Sequence, residues 1–352
     1  MLDIFKFKLN KDEFPKESIL DISTGGKALI ISDIHMGHGS RDDLDRNGEM
    51  LACILEEYYY KNGWILLLNG DIEELQKFSL DDISKKWANL FRVYDLFAKE
   101  NRFYKIIGNH DDPVYLKRYE DYPYHLHPVV KIETGAVPAF VYHGHQLMSM
   151  YRRFNKLVGF SIRFILKPLG IKNISYYKNP YKRFDIEKKA YSFSIENQCL
   201  TIIGHTHRPL FQSLGRFDYI KFEIEKLCME YSSSVGEERS RIEAEVKALR
   251  KDLSALKKKE KRDVLRQSLY GDELPVPCLF NSGCTLGKQG INGIEISNKD
   301  IALAYWFTEG KSKKFVTRGG YKIEEIPNTP YRRAVLNYDN LDYIAAKIKL
   351  LG

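Results

Sequence analysis

Three features of this 352-residue sequence predict an α/β fold. Over the first two thirds, short apolar, β-branched runs alternate with helical patterns, as in α/β units whose strands are buried on both faces. Each of those runs ends in a polar cluster. Nearer the C-terminus, two strand-like runs joined by a short polar turn add an antiparallel portion.

The strands read as Lys27 to Asp33 (KALIISD), Trp64 to Asn69 (WILLLN), Phe103 to Ile107 (FYKII), Ala139 to Tyr142 (AFVY) and Leu200 to Ile203 (LTII). Between the second and third, DDISKKWANLFRVYDLFAKEN sets Ile83, Trp87, Leu90, Phe91, Tyr94 and Phe97 on one helical face, with Asp81 or Asp82 as N-cap, so this helix packs on the sheet. GIEIS and IALAYWF, joined by Asn298, Lys299 and Asp300, read as a hairpin.

Two stretches break the alternation. Residues 146–198 are rich in aromatic and basic side chains and read as an inserted cap. Residues 221–272 place Ile242, Val246, Leu249, Leu253 and Leu256 at spacings of four and three, an a/d seam too short for a free coiled coil. A helical hairpin follows, its first arm including Ile224, Leu227 and Tyr231 and its turn at SSSVGEE. A solvated arm packed on the body is the simpler reading; a partner-binding or dimerising arm is the alternative. The expected organisation is a core over 1–145, the cap, core again over 199–220, the charged hairpin, core strands over 273–330, and a tail over 331–352 with a short helix.

A composition of 43% hydrophobic, 29% charged and 13% aromatic residues excludes wholesale disorder, collagen and a disulfide-framed miniprotein. The net charge of +8 favours an anionic partner such as phosphate, nucleic acid or a lipid surface. Cys53, Cys199, Cys228, Cys278 and Cys284 are odd in number and lack C-x-x-C spacing, which reads as reduced cytosolic thiols and argues against a thiolate metal site. The N-terminus lacks the charged and apolar regions of a signal peptide. The run GFSIRFILKPLGI from Gly159 is broken by Arg163 and Lys167 and falls short of the roughly 18 apolar residues that cross a bilayer. A cytoplasmic protein, at most peripheral to the membrane, is expected. In that peripheral reading Phe160, Ile162, Phe164, Ile165 and Leu169 form the face that enters the interface.

The chemistry sits where the strands end. Asp33 and His35 close the first strand; Asp71 and Glu74 follow the second, Asn109 and His110 the third, His143 and His145 the fourth, and His205 and His207 the fifth. In an open α/β sheet the carboxyl ends lie along one edge, so these clusters can converge. Carboxylate, imidazole and amide-oxygen donors together suit manganese, iron or zinc better than calcium. The seven donors Asp33, His35, Asp71, Asn109, His143, His205 and His207 suggest two cations, with Asp71 as the natural bridge. Two such ions share a hydroxide nucleophile and stabilise an in-line displacement at phosphorus.

In order, D-x-H, G-D-x-x-E, G-N-H-D, H-G-H and G-H-T-H resemble the calcineurin-like metallophosphoesterase superfamily, over about Lys27 to Arg208. The resemblance implies a four-layer α/β/β/α sandwich of two mixed sheets. It also implies one metal on Asp33, His35, Asp71 and His207, and another on Asp71, Asn109, His143 and His205. His110 matches the family's non-ligand histidine that contacts phosphate and protonates the leaving oxygen, and Glu74 its acidic partner. His145 is not expected to be a ligand, and His38, Asp42 and Asp43 read as loop or substrate-rim residues.

The segment between His143 and His205, with Arg152 and Arg153 as candidate substrate-binding residues, is similar in layout to UDP-diacylglucosamine pyrophosphatases, which share G-H-T-H-R-P but typically carry Arg where this chain has His110. A nucleotide-sugar or lipid-linked pyrophosphate is the implied substrate. The run NHDDP is similar to DNA repair nucleases, which makes nucleic acid an alternative, alongside a phosphoprotein phosphatase or a protein-binding scaffold working through the hairpin.

Overall fold

The β-branched runs form strands, and the computed structural model of the chain arranges them in two mixed sheets. It describes residues 18–38, 44, 47–113, 116, 122–147, 180–211, 224, 227–228, 230–232, 234–260, 276–285, 290–310, 316 and 321–352. In chain order the strands are Ser18–Asp21 (β1), Lys27–Ile31 (β2), Ile65–Asn69 (β3), Phe103–Ile106 (β4), Leu126–His127 (β5), Val130–Glu133 (β6), Ala139–Val141 (β7), Leu200–Ile203 (β8), Leu279–Asn281 (β9), Ile291–Ser297 (β10), Asp300–Thr308 (β11), Ile323–Glu325 (β12) and Tyr331–Asn340 (β13). The helices are Gly48–Ile54 (α1), running into a π-helical turn at Leu55–Tyr60, then Leu80–Lys86 (α2), Ala88–Lys99 (α3), Pro180–Asn197 (α4), Glu237–Glu260 (α5) and Leu341–Leu351 (α6).

Among the described residues, one sheet has the order β12-β13-β11-β10-β2-β3-β4-β5 and the other β1-β6-β7-β8-β9. β2, β3 and β4 are parallel neighbours, with Leu29 opposite Leu66 and Leu67 opposite Tyr104. The expected hairpin is β10 and β11, antiparallel with Ile291 opposite Trp306. In the smaller sheet β7, β8 and β9 run parallel, Val141 beside Ile202 and Ile202 beside Phe280.

Period-two alternation gives each sheet two faces to bury. Leu29, Ile31, Leu66 and Leu68 pack with Leu51 of α1 and with Val93 and Phe97 of α3. Phe140, Tyr142 and Ile203 pack with Ile186, Ala190 and Phe193 of α4. The residues between them in sequence, Ile30, Leu67 and Ile294 in one sheet and Val141, Ile202 and Phe280 in the other, are fully buried as well. Helices therefore flank two mixed sheets, the α/β sandwich expected.

The single helix expected between β3 and β4 is two. Ser79, not Asp81 or Asp82, caps the first by accepting the Asp82 N–H at 3.2 Å. The break falls at Trp87, whose indole N–H is drawn to the Gly37 carbonyl at 3.0 Å. The 331–352 tail is also corrected: its first ten residues are β13, paired with β11 from Tyr331 opposite Thr308 to Asn340 opposite Asp300. Charge hides this strand in the sequence, because Arg333 is buried by virtue of Glu295 and Glu324, whose carboxylates accept its Nε–H and Nη1–H at 2.7 Å.

Of the cap stretch, residues 146–147 and 180–198 are described; the aromatic and basic run through Lys167 lies outside the described residues, as does the apolar face from Phe160 to Leu169. No described helix is long and apolar enough to cross a membrane. By its contacts the chain separates into two compact units, one built on both sheets and the other spanning Gln212–Pro277. Within the second, Ile242 of α5 is buried, Val246, Leu249 and Leu253 are half-buried, and the Tyr231 hydroxyl donates to Glu243 at 2.5 Å. The Leu256 side chain lies outside the described residues.

Candidate metal centre

The loops after β2, β3, β4, β7 and β8 bring most of the predicted residues together, and they do so with unusual backbone. Asp33, His35, Asp71, His205 and His207 hold φ between 50° and 64°, five of the eight described non-glycine residues with positive φ. Left-handed backbone costs such residues about 1–3 kcal/mol each, and strain concentrated in one place marks a functional centre. Close approach also dictates two glycines. A Cβ on Gly108 would lie 2.1 Å from the Asp71 backbone nitrogen, and one on Gly70, at φ 77°, 2.6 Å from the His143 ring.

Asp33 is fully buried; its carboxylate accepts the His205 N–H at 3.0 and 3.1 Å and the Ser32 hydroxyl at 2.5 Å, and faces His207 Nε2 at 3.1 Å. His35 Nε2 meets His207 Nε2 at 3.2 Å. The second cluster forms on Asp71, whose Oδ2 lies 3.2 Å from His143 Nε2, 3.8 Å from His35 Nε2 and 4.0 Å from His110 Nε2. His143 donates Nδ1–H to the Asn69 carbonyl at 2.8 Å, which turns Nε2 inward, and His205 Nδ1 lies 3.3 Å from it. Donor atoms of Asp33, His35 and His207 lie within 4.8 Å of one another, as do those of Asp71, His143 and His205. A third such group joins His35, Asp71 and His110. Asn109 Oδ1 is buried without a hydrogen-bond partner.

Electrostatics follows from this crowding. Burial works against the charged carboxylate of Asp71, yet His143, His110 and His35 hold it well below the usual range. Asp33 is lowered against its burial by His207. Burial opposes charge on His207 and His143 too, but Asp33 lifts the one to about 11 and Asp71 the other to about 9. His205 is pushed down to about 3 by burial and by His143. Charge balance at Asp33 and Asp71 rests on protons held by His207 and His143, which bound cations would replace, and the orphaned amide oxygen of Asn109 demands a donor or a cation. Divalent cations fit both demands.

Glu74 accepts from His110 Nδ1 at 2.7 Å and lies 3.4 Å from His35 Nδ1. His145 is buried behind the cluster, its ring 5.5 Å from that of His143 and 6.5 Å from that of His205. His38 is exposed and outside the cluster. Asp42, Asp43, Arg152 and Arg153 lie outside the described residues. Sequence reasoning overlooked the end of β9. There Asn281 Nδ2 donates to the Gly204 carbonyl and to the Thr206 hydroxyl at 2.9 Å, and the Ser282 hydroxyl lies 2.6 Å from that of Ser32. Applying the strand-end rule to LFNSG would have found them.

A family model described as calcineurin-like phosphoesterase matches residues 26–238. A search of curated proteins returned no significant match. Among solved structures, a single mutant of Vps29 from Entamoeba histolytica is 11% identical, with a TM-score of 0.36, covering 88% of this chain and 99% of that one. Vacuolar protein sorting 29 from Cryptosporidium parvum is 11% identical, with a TM-score of 0.35, covering 82% and 94%.

Proposed function

Because the chain belongs to the calcineurin-like phosphoesterase family, we propose that its buried Asp/His centre hydrolyses a phosphate ester or pyrophosphate with two divalent cations. Asp33, His35, Asp71 and His207 would hold one, and Asp71, Asn109, His143 and His205 the other. The observation that carries this reading is the Asp71 carboxylate, 3.2 Å from His143 on one side and 3.8 Å from His35 on the other. When bound, such ions neutralise phosphate oxygens and make a water acidic enough to supply the nucleophile. Manganese, iron and zinc all suit the donor set.

The chain's own residues do the rest. Glu74 fixes the His110 ring through Nδ1, which leaves Nε2 to meet substrate at a side chain that is 25% exposed, while Asp71 beside it is 2% exposed. From Nε2, His110 donates a proton to the departing oxygen as the ester bond breaks. Asn69 and the Asp33 carboxylate orient His143 and the His205 backbone, so neither imidazole has to reorganise when phosphate arrives.

The substrate class we favour is a nucleotide-sugar or lipid-linked pyrophosphate, supported by the long segment between His143 and His205 and by the excess of basic residues. Turnover of manganese-reconstituted protein on phosphomonoesters, a bis-aryl phosphodiester, UDP-sugars with and without acyl chains, and single-stranded DNA tests it. Preference for acylated UDP-sugar supports the assignment; preference for DNA replaces it with a nuclease; no turnover with manganese, iron or zinc rejects the hydrolase.

A further inference from the structure

We propose that Lys105 is a positioning residue for this centre, a buried ammonium that clamps together the two loops presenting Asp71 with Glu74 and Asn109 with His110. The proposal rests on the function proposed above. Lysine is almost never fully buried unless paired, and Lys105, midway along β4, is 1% exposed. Its Nζ lies 3.0 Å from Glu73 Oε2 and forms a second, shorter contact with Asp111 Oδ2; both carboxylates are equally buried.

The Asp111 carboxylate is tied to backbone at the site, and Glu73 is tied there through its own backbone. Asp111 Oδ1 accepts the Gly108 N–H at 2.6 Å, next to Asn109, and Asp111 Oδ2 accepts the Ile72 N–H at 2.8 Å, next to Asp71. Glu73 Oε1 accepts the Tyr122 hydroxyl at 2.9 Å, while Glu73 bridges to Met36 in the loop that carries His35. One cation thus holds Asp111, whose other bonds flank Asp71 and Asn109, together with Glu73, whose backbone stands between Asp71 and Glu74 on one side and Met36 on the other, so a shift of Lys105 moves both loops. Packing alone does not call for an ion here, since apolar groups of similar volume commonly replace buried pairs without loss of stability. What an apolar group cannot do is fix Asp111 against two backbone amides.

Three variants separate positioning from mere support. Lys105→Met strands two buried carboxylates and is expected to lower the melting temperature sharply. Lys105→Met/Glu73→Gln removes one of those charges and restores much of that loss without restoring the clamp. We expect the double variant to bind Mn²⁺ about 10–100-fold more weakly and to lose kcat by a similar factor with little change in KM. Recovery of Mn²⁺ affinity and kcat together with melting temperature overturns the proposal. Should neither variant fold, Asp111→Asn keeps the loops' length and volume; wild-type Mn²⁺ affinity and kcat in that protein also overturn it. Mn²⁺ affinity is read by electron paramagnetic resonance of unbound ion, independently of turnover. A wild-type chain that binds two ions and hydrolyses nothing therefore rejects the hydrolase reading, while the affinities still judge the clamp.

Discussion

At His110 the two ring nitrogens have separate tasks, one bound to Glu74 and the other turned toward the cluster. Burial alone would lower its pKa, but the Asp71 and Glu74 carboxylates outweigh burial and hold it above the ordinary histidine value, a direction that favours the proton-donor role proposed for it. His110→Ala is expected to lower kcat by about 10²–10⁴-fold and leave Mn²⁺ content unchanged; loss of metal from that variant contradicts the role. The identities of these residues were legible because each lies in a short pattern at a strand end. Their backbone was not. Nothing in Asp33, His35, Asp71, His205 or His207 as residue types announces a left-handed φ, which is imposed by the convergence itself.

Between strands and site, the elements act as rigid mounts. Glu187 of α4 accepts the Thr206 hydroxyl and the Arg208 Nε–H, each at 3.1 Å, which fastens that helix to the loop bearing His205 and His207. Helix α2 depends on Ser79. Ser79→Ala is expected to cost about 1 kcal/mol, seen as a lower melting temperature with unchanged turnover; no change in melting temperature would show the cap to be idle. Elements with strong apolar periodicity, such as α3 with Leu90, Val93, Tyr94 and Phe97, were legible. The break at Trp87 and the strand at Tyr331–Asn340 were not, because each depends on a distant partner, Gly37 for the indole and Glu295 for Arg333.

Across the whole molecule, function depends on two sheets presenting their loop-bearing ends to one another, and the packing between them is set by residues whose alternation the sequence displays. His127 of β5 in one sheet meets the hydroxyl of Ser18 of β1 in the other at 2.7 Å. Burial, aided by neighbouring His125, lowers its pKa to about 4. The unfolded chain protonates first as pH falls below about 6.5, so stability is full above that value and is lost toward pH 4, by about 1–2 kcal/mol after solvent screening of this partly buried ring. Chemical denaturation at pH 7 and pH 4.5 should show a smaller loss for His127→Gln than for wild type; equal losses would assign the acid sensitivity to other groups. Asp71 is the carboxylate that the two proposed cation sites share, and anomalous diffraction from manganese-soaked crystals tests that sharing. Two peaks are predicted, one among Asp33, His35 and His207 and one among Asp71, His143 and His205, whereas a single peak, or none at Asp71, would contradict it.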